Sequence, residues 1–288
     1  MPELPEVETL KLGLQKYLVG HKILDIDILH PKIFYGDKAD ILSAKVTDIK
    51  RVGKGLIIEL DNGFCLAIHI KLTGQLIYRD LKTSKFAVSK EKVGTIPNKF
   101  THLIFQLDSG AKLYYNDQRR FGWIKVVKSN EVMNLPFFKD MGPEPSVAKA
   151  LEGRPILTLE KFRDLLSKSK TIVKPLIMDQ KKIGGIGNIY ANDALFLARI
   201  DPRRKANSLS SSEIKKIYGA IHTVLQKGLD SGGASELTFV NVLGQDGGYQ
   251  KHTLIYGKRG KVCPNCGKEI KFVRIGGRGT YYCENCQK

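Results

Sequence analysis

The chain opens Met1-Pro2-Glu3-Leu4-Pro5-Glu6-Val7-Glu8-Thr9, and apolar side chains follow at Leu10, Leu14 and Tyr17. Leu4, Val7, Leu10, Leu14 and Tyr17 are spaced as one face of a helix. Pro5 suits a first helical turn, and Glu6 and Glu8 complement the positive end of the helix dipole. Such an acidic, amphipathic start is unlike a secretory signal or a transit peptide. No apolar run approaches the roughly 20 residues of a membrane span. The expected compartment is therefore the cytosol, with no membrane partner.

Beyond Gly20 the pattern becomes β-rich, with short runs at 22–29, 46–51, 56–60, 64–70, 102–107, 112–115 and 123–127. Asp61-Asn62-Gly63 and Asp108-Ser109-Gly110 are turn signals between them, and regular short strands so punctuated predict a sandwich or barrel. Residues 80–99, rich in Lys and Ser, read as an exposed loop. Four prolines and little periodicity around 134–155 read as a linker. Helical patterns follow at 159–166, 173–179, 189–198 and 213–229. Between the second and third lies Lys182-Ile183-Gly184-Gly185-Ile186-Gly187-Asn188. Its glycines permit tight turns and close approach of a phosphate, and a helix opening there presents N–H groups to an anion.

The 288 residues carry 47 Lys+Arg against 29 Asp+Glu, a formal charge of +18. Hydrophobic residues at 42% and charged residues at 26% describe a folded protein and exclude a disordered one. The positive charge favours a polyanionic partner, nucleic acid before anionic membranes or acidic proteins. Four of the five cysteines form Cys263-Pro-Asn-Cys266 and Cys283-Glu-Asn-Cys286, separated by 16 residues. That spacing fits one four-cysteine zinc site better than disulfides. Cys65, inside an apolar run, reads as a small buried hydrophobe.

The opening nine residues resemble the N-terminus of the formamidopyrimidine-DNA glycosylase family. The resemblance continues, in order, through Lys54, His69, Asp117–Gly122, Lys174-Pro175, Gly187-Asn188-Ile189-Tyr190-Ala191 and the cysteine module ending Cys286-Gln287-Lys288. It implies an α+β fold in two domains: an N-terminal helix plus β-sandwich, then a helix–two-turn–helix domain with a zinc-finger β-hairpin. The boundaries expected are 1–132 for the catalytic sandwich, 133–155 for the linker and 156–232 for the helix–two-turn–helix. Residues 233–288 would hold the lesion loop and the zinc finger. DNA would lie in a cleft between the halves.

The implied activity is removal of oxidised purines from double-stranded DNA by a monomeric, bifunctional glycosylase and abasic-site lyase of the bacterial cytoplasm and nucleoid. Once Met1 is removed, Pro2 is a secondary α-amine. An α-amino group titrates much closer to neutrality than a lysine, so it is the better Schiff-base nucleophile at working pH. The resemblance makes Pro2 the nucleophile, Glu3 the general acid for the sugar's ring oxygen, and Glu6 a support for the site's charges. Lys54 would reach the damaged nucleotide. His69, His102, Lys174, Asn188 and Tyr256 would contact DNA. Arg278, at the hairpin tip, would grip the phosphates flanking the lesion and assist the second elimination. One structural Zn2+ on Cys263, Cys266, Cys283 and Cys286 is implied.

A flipped base leaves a hole that side chains fill. The family uses a Met, an Arg and a Phe; here Leu72, Arg119 and Phe121 stand in those places. Other departures are Phe100, where a DNA-contacting His is common, Gln118 for a Pro, and Asp193 for a Glu, which would loosen an interdomain tie. Glu236, in the loop Ala234–Phe239 over the extruded base, replaces a neutral residue. Two alternatives stand beside this reading: an endonuclease VIII-like enzyme for oxidised pyrimidines, and a non-catalytic binder of damaged DNA.

Overall fold

The computed structural model describes residues 1–147 and 155–288. The part of the expected linker at 148–154 lies outside the described residues. The chain divides into two compact units, Met1–Lys139 with Leu229–Gln250, and Asp140–Gly228 with Lys251–Lys288. Each unit is thus discontinuous, and the expected block 233–288 is shared between them.

In the first unit α1 (Leu4–Tyr17) begins on Glu3, and Pro5 stands in its first turn. Glu3 N–H donates to Glu6 Oε2 at 2.7 Å, half of a capping box whose other half runs from the Glu6 N–H to the Glu3 side chain. Nine strands follow: β1 (Ile23–Ile28), β2 (Phe34–Tyr35), β3 (Val46–Val52), β4 (Gly55–Leu60), β5 (Phe64–His69), β6 (Gly74–Arg79), β7 (Thr101–Leu107), β8 (Lys112–Asp117) and β9 (Trp123–Lys128). One sheet has the order β1-β7-β8-β6, the other β2-β9-β5-β4-β3. All neighbours are antiparallel except β2 and β9.

The inward residues of both sheets, such as Ile26, Phe105 and Leu76 from one and Ile58, Leu66 and Ile124 from the other, form one core. Val7, Leu10 and Leu14 of α1 join it. Burial of apolar area, at about 25 cal/mol per Å², drives this assembly.

Two strands are absent from the periodicity reading. β2 is only two residues long. β6 is buried on both faces, so it lacks alternation. Its Leu76 and Tyr78 enter the main core, while Ile77 enters a second cluster with Val93, Tyr114 and Val240. Val93 belongs to the segment 80–99, expected as an exposed loop, and is only 7% exposed. That segment is irregular but tied down. Asp80 and Thr83 bond each other reciprocally, and Asn98 Nδ2 donates to the Val93 carbonyl at 2.9 Å. Within the expected linker, α2 (Pro136–Lys139) puts Phe137 and Phe138 against Gly55, where a Cβ would sit 2.5 Å from the Phe137 ring.

The second unit contains α3 (Leu159–Ser167), α4 (Val173–Ile177), α5 (Asn188–Leu197) and most of α6 (Ser211–Asp230). The hairpin β10 (Lys271–Ile275) and β11 (Arg278–Tyr282) completes it. Thr158 caps α3. The turn Gly276-Gly277 has φ +54° and +73°, the two positive values that a type I′ hairpin requires. The α+β expectation, with helix, sandwich, helical region and hairpin in that order, is met. No helix among the described residues is long and apolar enough to cross a membrane.

A buried ion pair fastens α1 to β3: Arg51 Nε donates to Glu8 Oε2 at 2.7 Å, and Lys11 to Glu8 Oε1 at 2.9 Å. Removing one member of a buried pair strands the other charge, at a cost of about 3–5 kcal/mol. Glu8→Ala should therefore lower the melting temperature by roughly 10 °C. An unchanged melting curve would show that the pair contributes no net stability.

Candidate functional site

Strand register collects the expected residues of the first unit at one end of the sandwich. Lys54 is in the two-residue β3–β4 hairpin, whose Gly53 takes φ +57°. Leu56 on β4 pairs with Ile68 on β5, and His69, the last residue of β5, pairs with Trp123, the first of β9. In the other sheet, Gly74 at the start of β6 pairs with Asp117 at the end of β8. The turn carrying Leu72 and the loop carrying Arg119 and Phe121 therefore leave from the same end.

The N-terminal turn of α1 is buried: Pro2, Glu3, Glu6 and Lys54 are all inaccessible in large part, whereas Met1 is exposed. Glu6 uses both carboxylate oxygens, Oε2 for the Glu3 N–H and Oε1 for the Ala234 N–H, each at 2.7 Å. It thereby fixes the N-terminal turn of α1 and the first residue of the Ala234–Phe239 loop together. The far side of that loop is held by Gln75, whose Nε2 donates to the Thr238 carbonyl at 2.6 Å. Ser235 Oγ closes the loop onto the Phe239 carbonyl at 2.7 Å, which leaves Glu236 and Leu237 exposed at its tip. Gln75 carries no motif signal, and its importance appears only through this long-range contact.

His69 is buried against the Phe137 ring, centroids 4.4 Å apart, with Trp123 edge-on at 6.0 Å. Burial first, then the charges of Lys71 and Lys54, push its pKa down to about 3. Its Nδ1 accepts the Lys71 N–H at 3.1 Å, so the neutral ring carries its proton on Nε2 as a donor. An unfolded histidine protonates near pH 6.5. Between pH 6.5 and about 3 the unfolded chain therefore binds the extra proton, and stability falls as pH drops through that window. The stability gap between wild type and His69→Gln should narrow from pH 7 to pH 4 in denaturant titrations. A constant gap would contradict the neutral assignment.

His102, expected to touch DNA, is turned inward instead. Its Nε2–H donates to the Asp117 carbonyl at 2.8 Å, and its ring lies beside His30 at 5.3 Å. Asp117, quoted in the sequence motif without a role, is fully buried. Its Oδ1 accepts the Thr73 hydroxyl and, at 3.1 Å, the Arg119 N–H. Its Oδ2 accepts the Gly122 N–H at 2.8 Å and the Tyr115 hydroxyl at 3.4 Å. Gly122 is required for this packing, since a Cβ would lie 1.8 Å from the Tyr115 oxygen. Arg119 and Phe121 are exposed, and the guanidinium lies over the Phe121 ring at 4.9 Å. Leu72 is half-buried in its turn and does not belong to the sandwich core.

In the second unit Lys174 is 0% exposed, and its ammonium donates to Asn188 Oδ1 at 2.7 Å and to the Gly279 carbonyl and Thr280 Oγ1 at 2.8 Å. Where the resemblance implies a direct phosphate contact, the ammonium here is directed at protein oxygens. Lys174 instead joins α4, the first residue of α5 and β11, the strand that begins with the exposed Arg278. Asn188 opens α5 on Gly187 and stays half-exposed. Gln180 braces the preceding glycine turn, accepting the Gly185 N–H at 3.0 Å and donating to the Ile186 carbonyl at 2.7 Å. Tyr256 is half-buried, edge-on to Tyr281 at 5.4 Å.

Asp193 is fully buried and accepts the N–H groups of Leu254, Ile255 and Tyr256 at 2.9–3.0 Å, within the second unit. The shorter side chain holds the segment entering the cysteine module.

The four cysteine sulfurs lie within 4.8 Å of one another. Cys263 and Cys286 are 3.8 Å apart and Cys266 and Cys283 3.5 Å. Zn–S bonds of about 2.3 Å in a tetrahedron place sulfurs about 3.8 Å apart, whereas a disulfide needs about 2.05 Å. The donors fit one zinc ion, and four thiolates leave no position for a reacting water, so its chemistry is structural. Gln287 supports the module, accepting the Cys283 N–H and donating to the Ile200 carbonyl.

Family models match the chain along most of its length. Residues 1–124 match the formamidopyrimidine-DNA glycosylase N-terminal domain, 141–239 the H2TH domain of the same enzymes, and 260–288 the zinc finger found in FPG and IleRS. The chain belongs to the formamidopyrimidine-DNA glycosylase family. It is 38% identical to the formamidopyrimidine-DNA glycosylase of Pelotomaculum thermopropionicum, covering 100% of this chain and 99% of that one. It is 35% identical to that of Streptococcus mutans over the full length of both. Among solved structures it resembles a Lactococcus lactis Fpg variant bound to Fapy-dG-containing DNA, with a TM-score of 0.86, 32% identity and full coverage of both chains. It also resembles L. lactis Fpg with abasic-site DNA, TM-score 0.85 and 32% identity over 99% of each chain. The family's zinc finger is the module that Cys263, Cys266, Cys283 and Cys286 build here.

Cys266→Ser should release about one equivalent of zinc and speed amide exchange across 271–282. Retention of zinc by this variant would show that Cys266 is not a ligand.

Proposed function

We propose that the chain excises oxidised purines, chiefly 8-oxoguanine and ring-opened formamidopyrimidines, from double-stranded DNA and then cleaves the abasic site. What carries this reading is the buried Pro2-Glu3 pair at the start of α1, within a chain of the formamidopyrimidine-DNA glycosylase family. The same reading takes the protein as a monomer acting on bacterial cytoplasmic DNA.

After removal of Met1, the Pro2 nitrogen is a secondary amine at the positive end of α1, which disfavours the ammonium and keeps the lone pair available. That nitrogen bonds to C1′ of the damaged nucleotide as the base departs with the glycosidic electron pair. Glu3, one residue away, delivers a proton to the ring oxygen, so the sugar opens to an iminium Schiff base. Loss of the C2′ proton then expels the 3′ phosphate, and a second elimination expels the 5′ phosphate. Lys54 and Arg278 supply positive charge near the phosphates in this scheme. Hydrolysis of the iminium returns the free amine. Leu72, Arg119 and Phe121 fill the space left by the extruded base; Asn188 and Tyr256 contact the backbone, and Lys174 acts on it only by setting Asn188 and β11.

A second reading is an endonuclease VIII-like preference for oxidised pyrimidines, a lesion class present in the DNA of another similar solved structure. It is L. lactis Fpg with DNA containing an oxidised pyrimidine, TM-score 0.85. A panel of oxidised-base duplexes separates the two readings by relative rates.

Borohydride should trap a covalent adduct with 8-oxoguanine duplex, and protein that retains Met1 should give none, because its Pro2 nitrogen is an amide. Glu3→Gln should lose base excision by more than about a hundredfold, the usual worth of a general acid, while keeping part of its cleavage of pre-formed abasic sites. No adduct from Met1-free protein would leave only the non-catalytic binder.

A further inference from the structure

The geometry points to a clasp, formed by the Asp117 carboxylate and the Thr73 hydroxyl, that presents the Leu72 turn and the Arg119–Phe121 loop as a single rigid wedge; Asp117 and Thr73 are positioning residues for base extrusion. This rests on the reading of Leu72, Arg119 and Phe121 as the side chains that fill the vacated stack.

The two wedge segments come from different connections. Leu72 lies between β5 and β6, and Arg119 and Phe121 between β8 and β9. They are 47 residues apart in sequence, counted from Leu72 to Arg119. Three hydrogen bonds link them in a closed triangle. The Thr73 hydroxyl donates to Asp117 Oδ1, the Arg119 N–H donates to the same Oδ1 at 3.1 Å, and it also donates to Thr73 Oγ1 at 3.0 Å. Thr73, next to Leu72, is therefore tied to Asp117 and to the Arg119 backbone of the other segment. Thr73 and Asp117 are buried, at 6% and 0% exposure, so water does not compete for these bonds.

The backbone supplies a second, independent observation. Lys71 at φ +49° and Arg120 at φ +56° are non-glycine residues in the left-handed region, one in each segment. Such residues persist where the surroundings over-determine them. Lys71 directly precedes Leu72, and Arg120 lies between Arg119 and Phe121. The Lys71 N–H is held by His69 Nδ1, and on the other side of Arg120 the Gly122 N–H is held by Asp117 Oδ2. Both tips are thus strained locally and pinned from below by buried acceptors.

A wedge must enter the duplex as a unit. If its two parts moved independently, each would have to be ordered at the moment of extrusion, and that ordering would add to the barrier. The clasp supplies the order beforehand. It matters when a stacked base must be displaced, and it matters little for an abasic site, where no base is extruded.

The test compares single-turnover rates on an 8-oxoguanine duplex and on a duplex with a pre-formed abasic site, with melting temperatures measured in parallel. Thr73→Val keeps the buried shape and removes the hydroxyl. A hydrogen bond to a charged group is worth about a tenfold effect or more. Thr73→Val should therefore lower the ratio of excision to abasic cleavage about tenfold, and Thr73→Ser should restore it. Leu72→Ala should lower the same ratio, and the double variant Leu72→Ala with Thr73→Val should be no worse than Leu72→Ala alone, because both changes act through one wedge.

If Leu72→Ala lowers the ratio and Thr73→Val does not, the clasp is overturned and the wedge stands. An unchanged ratio in Leu72→Ala overturns the wedge reading and the clasp with it. Equal loss of both rates in Thr73→Val, with a matching fall in melting temperature, reduces Thr73 to a structural residue and also overturns the clasp.

Discussion

The carboxylate of Glu6 is the junction on which the buried N-terminal turn of α1 and the Ala234–Phe239 loop depend. One oxygen holds the Glu3 N–H and the other the Ala234 N–H, both at 2.7 Å in a buried setting. A charge-assisted bond to a backbone N–H is among the stronger hydrogen bonds available, and burial strengthens it. The amine-bearing terminus and the loop proposed to cover the base are set by the same side chain. The apolar face of α1 anchors that junction from behind, through Val7, Leu10 and Leu14 in the sandwich core.

Similar use of buried polar groups recurs wherever irregular backbone must be held still. Asp117 gathers hydroxyl and N–H donors from three places around the wedge loops. In the second unit, Asp193 caps three consecutive N–H groups ahead of the cysteine module, and Lys174 donates to acceptors on α5 and β11. Each group is buried, which is tolerable because its hydrogen-bonding capacity is matched by partners. The exposed residues proposed to meet DNA, Arg119, Phe121 and Arg278, stand on elements fixed by these groups. Arg119 and Arg278 thus face outward, whereas the side chains of Lys174 and His102 are turned inward onto protein oxygens.

Much of this was legible from local pattern. Helical spacing located α1, turn signals and alternation located most strands, and the CxxC pairs located the metal module. β6 escaped because burial on both faces removes alternation, and β2 because two residues carry no period. Among the residues proposed for the site, Pro2, Glu3 and Arg278 were legible as candidates through their motif positions. The inward roles of Lys174 and His102, the anchoring by Asp193 and Gln75, and the network around Asp117 were not.

The sequence by itself determined the order and type of most elements, the basic charge, the zinc ligands and the family resemblance, because these depend on residue type and short spacing. The tertiary structure alone decided which buried acceptor meets which donor. Glu6 and Ala234 are 228 positions apart, and Asp193 and Ile255 are 62 apart. No periodicity or propensity extends over such separations. Only the packing of sheets and helices brings those groups within 3 Å, and only then does a lysine or histidine show whether it faces solvent or the protein's own carbonyls.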